Sequence, residues 1–362
     1  MNFKTSLLSG LALAAATGGA ALAQGKTLNV LDWGGAYGQS HATAYNAPFT
    51  QETGINIVVT DADNPAVPIK AQVEAGNVTA DVASVEYADA VRLCDEGALE
   101  MIDPAILAPA ADGTPAVEDF LEGGVTECFV GTDVWSMVMA YDDSKFPDAK
   151  PASPADFFNV ADFPGKRTMR KGAKFNLEFA LMGDGVPPGE VYDVLSTPEG
   201  VDRAFAKLDE IKDNVVWWEA GAQAPQLLAD GEATIAYAFN GRIFNAAIGE
   251  GKPFNIVWDG QVYEMEGWVV PKGAPNLQNA MDYIAFSTTP ERQARAAELI
   301  SYGPLRASSS ALVGNVEGKD IAMGPHLPTA PENLALGIGS DAEFWVDRDA
   351  ELTERFNAWL AN

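Results

Sequence analysis

The sequence predicts an α/β protein of open, mostly parallel sheet covered by helices and divided into two units. Three observations carry this. Short apolar runs alternate with helical stretches along most of the chain; a proline-rich segment, DDSKFPDAKPASPADFF, interrupts the alternation after residue 141; and two apolar, tryptophan-bearing runs, 133–141 and 268–271, stand on either side of the second block.

In order, LNVLD (28–32) reads as a short buried strand, followed by a Gly34-Gly35 turn and a helix over 39–54. INIVVT (55–60) is the next strand, 69–76 a helix, ADVAS (80–84) a strand, and 87–97 a helix stopped at Gly97. DVWSMVMAY (133–141) is strand-like, and Ser153-Pro154-Ala155-Asp156 signals a helix start. The second block then gives strands at 166–169, 215–218 and 233–239, with helices at 176–182, 197–213 and 224–230. WVVP (268–271) precedes helices at 277–287 and 290–301, and the second unit starts near Tyr141. No internal repeat is visible. The two tryptophan strands have the character of crossings between the units.

The first residues read as an export signal: Lys4, an apolar run over 7–16, and Ala21-Leu22-Ala23 before Gln24. Cleavage leaves a chain starting near Gln24 of about 340 residues, room for two domains. The apolar run is shorter than the ~20 residues that span a bilayer and no later segment reaches that length, so the expected address is the periplasm or the cell exterior. Neither cysteine lies near the cleavage point, which argues against a lipid anchor. Cys94 and Cys128 would both enter an oxidising compartment, and we expect a disulfide between them. The 51 acidic residues against 23 basic ones, net charge −28, repel nucleic acid and anionic membranes and attract cations; solubility alone accounts for such a balance equally well.

In open α/β sheets ligands bind beyond the carboxyl ends of strands. Those ends carry Trp33 with Tyr37 in the following turn, Glu86-Tyr87, Trp218-Glu219, and Asn240-Gly241-Arg242 after Phe239. Aromatic faces attract cations, and a carboxylate completes an ammonium site. Singly, each such aromatic is better explained as packing; their coincidence at strand ends makes them candidates. Asn240 is placed to cap a helix over 242–248, which would set the Arg242 guanidinium beside a positive helix terminus and favour a carboxylate; the plain alternative is a surface arginine paired with Glu250. Glu264 and Glu266 share a strand face, and Glu266 is a candidate partner for an ammonium, unless it is an edge-strand charge facing water.

Catalytic templates find no material. His41 and His326 are the only histidines and belong to no HExxH, GxSxG or Cys-His arrangement, and Gly34–Gly38 lacks the dinucleotide-binding spacing. No catalytic residue, cofactor or metal is expected. A secreted hydrolase of unknown substrate is the alternative of another class, because a chain so rich in acids always offers carboxylate pairs; a buried acid pair with displaced pKa values in a cleft would favour it.

LNVLDWGGAYGQ, PFTQETGINI, ADVASVEYADAVRLCDEGALEMID, QLLADGEATIAYAFNGRIFNAA and EMEGWVVPKGAPN, in this order and spacing, resemble successive blocks of the spermidine/putrescine-type solute-binding proteins of ABC importers (extracellular solute-binding protein family 1). The resemblance implies a two-lobed periplasmic binding protein fold of type II, each lobe a mixed sheet flanked by helices, with two crossover strands as hinge. It implies lobes over 24–139 plus 268–306 and over 140–267 plus 307–362, after a signal peptide at 1–23. A small-molecule amine or zwitterion would be clamped between the lobes of a monomer and passed to an inner-membrane ABC permease.

The family's cleft is an aromatic box with carboxylates for amine groups, which implies ligand roles for Trp33, Phe239 and Glu266. Where the polyamine binders place acids in the second lobe, this chain has Arg170-Lys171-Gly172-Ala173-Lys174, and Glu264 stands where those proteins usually have a Trp. That departure removes the partner for a second amine. A ligand with one ammonium and one carboxylate, as in the similar γ-aminobutyrate-binding branch, fits Arg242 with Glu266 better than a polyamine such as putrescine or spermidine does. The resulting candidate ligand residues are Trp33, Tyr37, Tyr87, Trp218, Phe239, Asn240, Arg242, Glu264 and Glu266. An anion or iron receptor of the same fold would want clustered tyrosines or a more basic cleft.

Overall fold

A computed structural model describes residues 27–362; the expected signal peptide and Gln24 lie outside the described residues. TLNVLD forms β1 (Thr27–Asp32), NIVVTD β2 (Asn56–Asp61) and VASVE β3 (Val82–Glu86). β1 lies parallel between β2 and β3. Parallel neighbours need long crossovers, supplied here by the helical residues 35–53 and helix Ala66–Glu74. β4 (Val130–Asp142) follows, thirteen residues without an exposed side chain.

The second block repeats the plan. β5 (Arg167–Arg170) lies parallel between β6 (Val215–Trp218) and β7 (Ile235–Phe239). β8 (Phe254–Val269) then runs back through the molecule, and β9 (Gly303–Pro304) and β10 (Ile338–Gly339) add short pairings to β4 and β8. The described strands join in one sheet of order β2-β1-β3-β8-β4-β7-β5-β6. The two parallel trios flank a central antiparallel pair, β8 and β4, whose ends pair with β3 and β7 respectively.

The second crossing strand therefore begins fourteen residues earlier than the apolar run at 268–271 suggests. Asp259, Gly260 and Gln261 break its apolar pattern, and there the register jumps from Met137↔Val262 to Met139↔Val257. Gly260 takes a left-handed φ of 72°, and a Cβ at that position would lie 2.3 Å from Pro154.

Separate cores form in the two halves. Leu28, Val30, Tyr45, Phe49, Trp268 and Tyr283 pack on one face of the first, while Ile69, Val85, Leu93 and Phe129 pack on the other. The second half is built around Phe157, Phe179, Trp218 and Tyr237. A C-terminal helix, Ala342–Ala361, capped by Asp341, adds Trp345, Leu352 and Phe356 to that core. The expected Cys94–Cys128 disulfide is present and ties the end of helix Tyr87–Asp95 to the segment entering β4. No helix among the described residues is long and apolar enough to cross a membrane.

Candidate functional site

The site is built where β1, β3, β4, β7 and β8 converge. Trp33 follows β1, and its backbone N–H donates to Asp32 Oδ1 at 2.7 Å, while Asp32 Oδ2 accepts the buried His41 Nδ1 at 2.9 Å. The turn after it requires glycine: Gly34 has φ 65°, and a Cβ there would lie 2.5 Å from Asp61 Oδ2. So held, the Trp33 indole N–H donates to Glu266 Oε1 at 2.8 Å, and Ser84 Oγ donates to the same oxygen at 3.0 Å.

Glu266 stands in a row of acids. Across the sheet it pairs with Glu86 on β3 and Asp133 on β4. Asp133 reaches this row because β4 carries a bulge: Gly131 pairs with Gly267 and Asp133 with Glu266, so one extra residue, Thr132, turns Asp133 onto the Glu266 face. Thr132 Oγ1 donates to Asp133 Oδ2 at 2.9 Å, and so does the Tyr37 hydroxyl at 2.9 Å. Burial pushes Asp133 up to about 6, against the pull of His41 and these two hydroxyls. Burial, reinforced by Glu86 and Asp133, pushes Glu266 well above the ordinary carboxylate range. A row of buried acids without enough countercharge takes up protons or cations.

Two residues along β8, Glu264 meets the Lys174 ammonium, which lies 2.9 Å from Oε1 and 3.4 Å from Glu86 Oε2. Burial raises Glu264 and Lys174 holds it down; burial works against the Lys174 charge, but Glu264 and Glu86 outweigh it and raise its pKa.

The opposite side of the cleft is cationic. Phe239, at the end of β7, packs its ring edge-on to Trp135 at 5.0 Å and against Trp218 at 5.6 Å. The Arg170 and Arg242 guanidinium carbons lie 5.7 and 5.9 Å from its ring centre. Neither arginine has a carboxylate partner among the described residues, and Arg242 Nε is buried without an acceptor. Arg242 Nη1 reaches across to the Gly34–Gly35 turn, 3.7 Å from where a Gly35 side chain would begin. The Tyr302 ring packs against Tyr37 with ring centres 5.6 Å apart, and burial raises its hydroxyl above the usual range, with Arg242 pulling it down and Asp133 and Glu266 pushing it up. A cavity of about 400 Å³ is lined in part by Glu86, Arg170 and Lys174, and another of about 280 Å³ in part by Arg242 and Glu250; Trp33, Phe239 and Glu266 line neither.

The sequence matches the profile of the bacterial extracellular solute-binding proteins over residues 44–329. It is 47% identical over 359 residues, 99% of this chain and 97% of the other, to a gamma-aminobutyric acid-binding protein of Pseudomonas aeruginosa. This chain belongs to the bacterial extracellular solute-binding proteins. Its fold superposes at a TM-score of 0.82 on a periplasmic binding protein of A. tumefaciens B6 complexed with glucopine, 30% identical, covering 92% of this chain and 99% of that one. A GABA receptor superposes at 0.79, with 32% identity, 93% of this chain and 98% of that one. The two-lobed architecture of a solute-binding protein thus accounts for the paired parallel trios and the two long crossing strands.

Within this solute-binding protein, Trp33, Tyr37, Phe239, Arg242, Glu264 and Glu266 are gathered at the convergence of the strands. Tyr87 is not: β3 ends at Glu86, and Tyr87 opens the helix that follows, with its ring against Phe129 and ring centres 5.2 Å apart. Trp218 is buried and donates to the Tyr237 carbonyl at 3.1 Å, backing Phe239 from within the core. Asn240 does not cap a helix. Its Oδ1 accepts Ser136 N–H at 2.9 Å and its amide donates to the Ser301 carbonyl, fastening β4 to the segment before β9. The helix it begins, Asn240–Phe244, has no side-chain cap, and Arg242 lies inside it. Glu86 joins the site from the strand end that also offers Tyr87, Arg170 and Lys174 join it from the basic segment that departs from the polyamine-binder pattern, and Asp133 joins it although no motif marks it.

Proposed function

We propose that this protein is the periplasmic receptor of an ABC importer for a small ω-amino acid of the γ-aminobutyrate type. The observation that carries the reading is the separation of charge in the cleft: Glu266 with the Trp33 indole at one pole, and two guanidiniums without carboxylate partners, Arg170 and Arg242, at Phe239. An ammonium fits the first and a carboxylate the second. The name of the 47% identical relative and that of the GABA receptor of similar fold support the same ligand class. The lobes would be 24–139 plus 268–306 and 140–267 plus 307–362, closing over the ligand about β4 and β8. Export through the signal at 1–23 would deliver a monomer to the periplasm, where an inner-membrane permease takes the ligand.

Displaced carboxylates are the feature that would have favoured a hydrolase. Here Asp133 is held by two hydroxyls, Glu264 by an ammonium and Glu266 by two donors, which suits capture of a cation. Isothermal titration of the mature protein with γ-aminobutyrate, 5-aminovalerate, putrescine and spermidine tests the reading. Saturable binding of the ω-amino acids is expected; binding of polyamines alone would overturn it, as would turnover of a substrate panel.

A further inference from the structure

Lys174 holds a position that no other cation among the described residues holds. It comes from the second half, yet its ammonium bridges Glu86 of β3 and Glu264 of the crossing strand β8, on the sheet face that carries Glu266. It is set there by a special turn. Phe175, the next residue, has φ 71°, the one left-handed non-glycine residue among those described. That turn lays the Phe175 ring edge-on to Trp135 at 5.5 Å and leaves the Lys174 ammonium 5.2 Å from the Phe175 ring centre. Strained backbone of this kind persists where the surroundings demand it, commonly at ligand sites. An alkylammonium lying against an aromatic ring and between two carboxylates is what a bound amine looks like.

We infer that Lys174 acts as a tethered ammonium that fills the second cation position of the cleft and so selects ligands with one ammonium against α,ω-diamines. The inference rests on the cleft being an amine site. Of the acids gathered on this face, Glu86 and Glu264 are occupied by Lys174, which leaves Glu266, with Asp133 beside it, to receive a ligand ammonium. A diamine whose first ammonium sat at Glu266 would bring its second either to Lys174, a like charge, or to Arg170 and Arg242. Each encounter is repulsive, whereas the carboxylate of an ω-amino acid is attracted to the arginines. Removing the lysine side chain would turn the exclusion into its opposite, since the buried Glu264 and the partly exposed Glu86 would then face the cleft without a cation.

The test is titration calorimetry of the full mature protein with γ-aminobutyrate and putrescine, in wild type, Lys174→Met, Lys174→Arg and the double variant Lys174→Met with Glu264→Gln. Wild type and Lys174→Arg should both exclude putrescine. Lys174→Met should bind putrescine at least about tenfold more tightly than wild type does, the order expected when a buried charge loses its partner and a ligand restores it. The double variant should lose most of that gain, which separates a vacated cation position from a general loosening of the cleft. A folded Lys174→Met with no gain for putrescine overturns the inference, and so does a wild type that binds putrescine as tightly as γ-aminobutyrate. If Lys174→Met folds poorly, putrescine must restore its cooperative melting where butylammonium restores it less; rescue by neither counts against the inference. Failure of γ-aminobutyrate to bind wild type overturns the ligand reading, while binding of γ-aminobutyrate without the diamine gain overturns only the role of Lys174.

Discussion

The Trp33 indole donates to Glu266 at 2.8 Å, and Glu266 stands side by side in the sheet with two further acids, Glu86 and Asp133. One neutral hydrogen-bond donor from the first turn and one hydroxyl from β3 are all that holds this carboxyl, so burial and like charge leave it protonated far above the usual carboxylate range.

An arriving ammonium needs the ionised form, which makes proton release part of binding. In mildly acidic solution, titration in two buffers of different ionisation heat should give different apparent enthalpies, the difference reporting protons released. Affinity should fall as pH is lowered. Glu266→Gln should remove both the buffer difference and most of the affinity, and an unchanged buffer difference in that variant would assign the proton elsewhere.

At the other pole, Arg242 should hold a carboxylate. Truncating one partner of a desolvated, hydrogen-bonded charge pair costs ~2 to 5 kcal/mol, so Arg242→Ala should weaken γ-aminobutyrate binding more than tenfold. Arg242→Lys should recover only part of it, because an ammonium cannot present the planar fork of a guanidinium. Equal affinity of Arg242→Ala and wild type would remove the carboxylate from this position.

Much of the fold could be read from local pattern, and the site only in part, for reasons visible in single residues. Apolar runs bounded by turns located the strands of both trios, because a short buried strand must be apolar at nearly every position. Strand ends then gave Trp33, Phe239 and Arg242. What position along a strand does not give is the face. Glu86 and Tyr87 are adjacent, and one enters the cleft while the other packs on Phe129. Asp133 joins the acids through a bulge whose extra residue, Thr132, has no local sequence mark. Asn240 has the chemistry of a helix cap, but partners remote in sequence, Ser136 and Ser301, claim its side chain. Lys174 reaches its carboxylates through a left-handed phenylalanine, a conformation that residue type argues against.

The Cys94–Cys128 disulfide closes a loop with a sequence separation of 34. By the chain-entropy estimate this contributes roughly 3 to 4 kcal/mol. Thiol labelling of denatured, unreduced protein should therefore modify neither cysteine, and reduction should lower the melting temperature by roughly 5 to 10 °C. Because the bond lies in the first half, away from Phe239 and the arginines, ligand binding to the reduced, folded protein should persist. Loss of binding without loss of folded structure would contradict that separation.

The last prediction concerns Glu178, buried in helix Asn176–Gly183 outside the charged cleft. Its Oε1 accepts the Tyr192 hydroxyl at 2.9 Å and the Trp345 indole at 2.8 Å, joining this helix to the C-terminal helix, while Oε2 has no partner. Burial pushes the carboxyl up from 4.5 to about 7, with Trp345, Tyr192 and Lys174 pulling it back. The folded state therefore binds a proton that the unfolded chain has already lost between these values. Stability from this group is complete below about 4.5 and is lost as pH rises through about 7. At mildly alkaline pH the loss is on the order of 3 kcal/mol for a shift of this size. Glu178→Gln keeps an acceptor for both donors without the charge. It should flatten the pH dependence of melting between mildly acidic and mildly alkaline solution, with its benefit greatest at the alkaline end. A variant whose melting temperature follows the wild-type pH curve in parallel would show that Glu178 is not the group that titrates.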